Sequence, residues 1–144
     1  MATTPEIADA VVASLNATLF VPPFTARRAW LPVHDLGEMD QIQVTVVPTT
    51  RTLSTVSRAA IQVEHRIEVA VQRRVDPADL SAVDALVALC GDIAEHLTGA
   101  VLPALPDVRW AKTEHTLLAA PEHLNELRQF TGLIAVTYRN WESL

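Results

Sequence analysis

Residues 61–71 read IQVEHRIEVAV, and their strict alternation decides the fold. Ile61, Val63, His65, Ile67, Val69 and Val71 fall on one side, and Gln62, Glu64, Arg66, Glu68 and Ala70 on the other. A period of two marks a β-strand with one buried face and one face open to water or to a partner. Extended from Ala59 to Arg73, such a strand reaches roughly 45–50 Å. A compact domain of this chain length is about 35–40 Å across. The strand therefore crosses the whole domain or projects from it.

Upstream, Gln41 to Val47 alternates in the same way and predicts a second strand, ended by Pro48. Between the two strands, residues 49–57 (TTRTLSTVS) are rich in Ser and Thr and show no helical period. They are expected to form an exposed loop at the tip of an extended hairpin, removable without loss of the fold. Phe24 to Leu31 reads as a first strand closed by Pro32, with a turn over Asp35 to Asp40 around Gly37. Before it, Thr4 is expected to cap a helix with Pro5 at its first position, and Ile7, Ala8, Val11, Val12 and Leu15 form its apolar stripe.

Downstream, Asp76-Pro77 is expected to open a second helix. Its stripe is Val83, Leu86, Val87, Cys90, Ile93, Ala94 and Leu97, with Gly99 as the stop. Val108 to Leu118 predicts a fourth strand with imperfect alternation. Pro121 begins a short helix with Leu124, Leu127 and Arg128 inward, and Phe130 to Tyr138 is a last strand apolar enough to lie centrally. The order α-β-β-β-α-β-α-β predicts one α+β domain over residues 1–144. It has a mixed, mainly antiparallel sheet of about five strands, two main helices packed on one face and a long β-hairpin.

The 144 residues carry a formal net charge of −6, 49% hydrophobic and 19% charged side chains. That balance belongs to a globular chain and disfavours nonspecific nucleic-acid binding, which needs clustered Lys and Arg. A lone cysteine, Cys90, excludes an intrachain disulfide. The start MATTPEIADAVV has neither a basic nor an apolar leader region, so no signal peptide is expected. No apolar run reaches a membrane-spanning length of ~18 residues.

No catalytic, cofactor or metal residue is assigned. His34, His65, His96, His115 and His123 lack the helical spacing of a metal motif. His65, on the inward register, reads as a satisfied core or interface histidine. Cys90 sits on an apolar stripe without an adjacent cation. The four glycines (Gly37, Gly91, Gly99, Gly132) are too far apart to form a phosphate loop. Two surfaces are candidates for contact. One is the polar face Gln62, Glu64, Arg66 and Glu68, whose charges alternate in sign and could pair across subunits, together with Trp141, which packs on a neighbour or on its own sheet. The other is the loop Thr50, Arg51, Thr52, Leu53, Ser54 and Thr55.

The wording of several segments supports a further reading. These are residues 7–17 (IADAVVASLNA), 24–48 (FTARRAWLPVHDLGEMDQIQVTVVP), 65–74 (HRIEVAVQRR), 76–97 (DPADLSAVDALVALCGDIAEHL) and 123–139 (HLNELRQFTGLIAVTYR). From Ile7 to Arg139, and most specifically in the F-x-x-x-I-x-V-x-Y-R segment of Phe130 to Arg139, the chain resembles small tail-terminator or neck proteins of tailed bacteriophages and prophages. The resemblance implies a ring of identical subunits, usually six, that ends the tail tube and joins it to the head connector. The implied partners are other copies, the tail tube protein and connector or stopper proteins. DNA would pass without specific binding, no membrane or cofactor is involved, and the place of action is the virion head–tail junction. Another neck role (head completion, stopper or connector adaptor) fits the same resemblance. A small α+β ligand-binding domain or enzyme is the competing class, with His65, Glu64 or His115 lining a pocket between sheet and helices.

Overall fold

The computed structural model describes residues 2–31 and 40–143. Among these described residues, eight elements follow the expected order: α1 (Thr4–Asn16), β1 (Ala26–Arg28), β2 (Gln43–Thr55), β3 (Ala60–Arg74), α2 (Leu80–Leu97), β4 (Arg109–Leu117), α3 (Pro121–Glu126) and β5 (Gln129–Ser143). The strands form one mixed sheet in the order β1-β2-β3-β5-β4. Only β1–β2 is parallel; the other three pairings are antiparallel. The crossover from β3 through α2 leaves a gap that β5 fills, so β5 is central, as its apolar run predicts.

Alternation sets the core. Val63, His65, Ile67, Val69 and Val71 of β3 face Asn140, Tyr138, Val136, Ile134 and Gly132 of β5, all on the helix-covered face. α1 contributes Ile7, Val11 and Leu15, and α2 contributes Leu86, Leu89, Cys90, Ile93 and Leu97. Each fully buried aliphatic side chain of this set is worth about 1.5–3 kcal/mol relative to exposure. Gly132 is needed where α2 meets β5: a Cβ there would stand 2.8 Å from Cys90 Sγ and 3.1 Å from the Phe130 ring. Gly99 ends α2 at φ +71°, a conformation glycine adopts without strain.

Several boundaries differ from the expectation. Thr3, not Thr4, caps α1: its hydroxyl accepts from Glu6 N while the Glu6 carboxylate accepts from Thr3 N, a reciprocal capping box. Asp79, not Asp76, caps α2 by accepting from Ala82 N. Asp76 instead accepts from Ala78 N, which makes the preceding turn. The first strand shrinks to three residues. α3 buries none of its residues, Leu127 is exposed, and Arg128 takes a positive φ of 49° with its side chain outward. The turn over Asp35 to Met39, Pro32 and His34 lie outside the described residues.

The largest difference concerns the hairpin. β2 does not stop at Pro48. It runs to Thr55 and pairs with β3 throughout, from Gln43↔Gln72 to Thr55↔Ile61. Thr49 is the extra residue of a bulge, and its hydroxyl donates to Arg66 O. The bulge switches the core-facing positions from Val44, Val46 and Pro48 to Arg51, Leu53 and Thr55. That one-residue slip hides the strand from a period-two reading. The expected Ser/Thr loop is therefore strand, and only residues 56–59 turn, closed by Val56 N and Ser57 N donating to Ala60 O.

Candidate functional site

The pairing registers place the polar residues of β3 on the face opposite α1 and α2. Gln62, Glu64, Arg66 and Glu68 stand across from Trp141, Arg139, Thr137 and Ala135. β4 extends these rows, with Arg109 across from Arg139, Lys112 across from Thr137 and Glu114 across from Ala135. Rows of like sign (Glu68 and Glu114; Arg66 and Lys112) alternate along the strands. In these two rows the like charges stand two strands apart with a neutral residue between them, whereas Arg109 stands directly across from Arg139, whose guanidinium is paired with Glu64.

The charges close on themselves. Arg139 Nε donates to Glu64 Oε1 at 3.0 Å, and Gln62 Nε2 donates to the same oxygen at 2.9 Å. Arg66 meets Glu68 at 3.5 Å, and Lys112 meets Glu114 at 2.7 Å. The Lys112 ammonium holds the Glu114 carboxyl below its usual range. These pairs are partly exposed and contribute little individually to stability. The expectation that the ladder is left to pair across subunits is thus modified: the residues are on one accessible face, but each carboxylate already has a partner within the sheet.

The six residues Thr50 to Thr55 all lie on β2, and all are exposed. Thr50, Thr52 and Ser54 share the polar face, whereas Arg51 and Leu53 share the register of His65 and Val63. Arg51 meets Glu142 of β5 at 3.9 Å. β1 pairs only with Val44 to Val46. Among the described residues, no strand lies beyond β2 from Thr49 to Thr55. This half-strand is a free edge about 23 Å long.

Trp141 sits opposite Gln62 near the end of β5 and is 46% exposed. It lines an open cleft of about 670 Å³ between the start of α1 and the α2–β4 connector. Leu105 and Val108 are its apolar lining residues, Glu6 and Asp107 its acidic ones, and Trp141 borders it from the polar-face register of β5. Sequence reasoning missed this cleft because its walls, the start of α1, the α2–β4 connector and β5, are far apart in sequence and meet only through strand pairing and the Asn140–Ala2 hydrogen bond.

His65 is buried and fully used. Asn140 Nδ2 donates to Ala2 O, which turns Asn140 Oδ1 toward His65 Nε2 at 3.0 Å. Nε2 therefore carries the proton and donates, and Nδ1 accepts from the Thr4 hydroxyl at 2.8 Å. Burial lowers the His65 pKa, with Arg51 adding to the effect and Asn140 and Glu142 opposing it. Glu64 points to the opposite face, as adjacent strand residues must, so it and His65 share no pocket. His115 falls in the irregular stretch of β4, and burial lowers its pKa too. Cys90 is buried, and desolvation pushes its thiol up to about 12.

Among the described residues, no three His, Cys, Asp or Glu side chains group to hold a metal ion. No described helix is long and apolar enough to cross a membrane. No family model and no curated protein matches the chain.

Proposed function

We propose that the chain is a structural subunit of a tailed-bacteriophage neck, a tail terminator that works as a ring of copies, six being the expected number. In this reading the ring ends the tail tube and meets the connector or stopper proteins of the head. The observation that carries the proposal is the free edge of β2 from Thr49 to Thr55, beside a polar sheet face that stays accessible. An unpaired edge of this length, without lysine and with Arg51 as its one charge, invites another chain. Two different surfaces meeting head to tail close into a ring when the rotation permits. A formal net charge of −6 keeps such a ring from adhering to DNA that passes through it.

The test is an electron micrograph of particles assembled without this protein. Overlong or headless tails are the expected result. Tails of normal length joined to heads would refute the role.

A further inference from the structure

We propose that the turn at the tip of the β2–β3 hairpin, residues 56–59, seats in the Trp141 cleft of a second copy of this chain. The contact rests on the self-assembly reading above and specifies where two copies meet. The turn presents Val56, 55% exposed, and Arg58, also exposed. Arg58 takes part in none of the ion pairs of the described residues. The cleft offers the complement: apolar Leu105 and Val108 and acidic Glu6 and Asp107 are among its lining residues. Asp107 has no ion pair among the described residues, and Glu6 spends one oxygen on Thr3 N. Among the described residues the one guanidinium lining the cleft, that of Arg109, donates to Pro106 O at 3.3 Å. The cleft thus holds two carboxylates against one cation, and the tip brings the missing one. An arginine set beside carboxylates gains charge-assisted hydrogen bonds.

The tip cannot reach its own cleft. Gln62 lies opposite Trp141, and Ala60 opposite Ser143, so the turn that carries Arg58 lies beyond the last paired row of β3 and β5. Continuous pairing with β2 and β5 prevents it from folding back. The seat for the turn is therefore on another molecule.

Sedimentation velocity across a concentration series tests the contact with charge reversal. Arg58→Glu and Asp107→Arg should each raise the dissociation constant of self-association at least ~10-fold. Their melting temperatures should match the parent, because both sites are exposed. Arg58→Glu combined with Asp107→Arg in one chain should restore association, as should mixing the two single variants. Single variants that assemble like the parent overturn the contact and leave the ring proposal standing. So does a double variant that fails to recover. If Asp107→Arg spares self-association but abolishes capture by tail tubes, the cleft belongs to the tube protein and the contact is overturned. A parent chain that stays monomeric to millimolar concentration overturns the contact and also counts against self-assembly in solution.

Discussion

The two halves of β2 pair with the same strand yet lie in different surroundings. Gln43 to Pro48 lies between β1 and β3 beneath α1, and Val44, Thr45, Val46, Val47 and Pro48 are buried. Among the described residues, Thr49 to Thr55 pairs with β3 alone, and it is exposed at every position. Backbone pairing thus continues past the point where the core ends. The inner half is held by packing, and the outer half by its ladder and a few polar contacts. An element kept regular without burial is available for other contacts.

Mutations in the two regions should separate these roles. Ile67→Ala, opposite Pro48 at the end of the inner half, should cost about 2–5 kcal/mol in urea unfolding, because a fully buried side chain leaves a cavity. Leu53→Ala in the outer half should cost much less. Equal losses would mean that the outer half is packed. Gly132→Ala should cost about 1–3 kcal/mol, since the new methyl meets Cys90 Sγ and the Phe130 ring. A neutral result would show that α2 can shift away from β5.

Acid should weaken the region where α1 is tied to β3 and β5. The native His65 pKa lies below the ordinary 6.5, so the unfolded chain takes up its proton first. This contribution is intact above 6.5 and is lost as pH falls toward the depressed native value. The melting temperature should drop between pH 7 and pH 5, and His65→Gln should flatten part of that drop. The rest belongs to groups such as His115, which shifts in the same direction. A His65→Gln profile parallel to the parent would remove His65 from the account. The smallest stability effect is expected from Arg66→Glu, on the partly exposed face, within about 0.5 kcal/mol. Its effect should instead appear as weaker subunit association. Equal loss of melting temperature and association would mean that the face is structural.

Much of this was legible from the residues. The period of two over Ile61 to Val71 identified β3, its inward set and the satisfied state of His65. The apolar run of Leu133 to Val136 placed β5 inside the sheet. The stripes of α1 and α2 named most of their buried residues. What escaped depended on partners distant in sequence. Pro48 and the Thr49 bulge broke the alternation of β2, and only pairing with β3 keeps residues 50–55 extended. The deletion of Thr50 to Thr55, silent for a loop, now removes half a strand and should destabilise the hairpin. The Trp141 cleft needed the pairing of β5 with both of its neighbours before its walls could be seen together.

The central claim is that copies of this chain complete one another. Sedimentation equilibrium of the purified full-length protein, alone and with purified tail tubes, tests it most directly. The account predicts a closed oligomer in solution or rings bound at tube ends. A monomer under both conditions would contradict it.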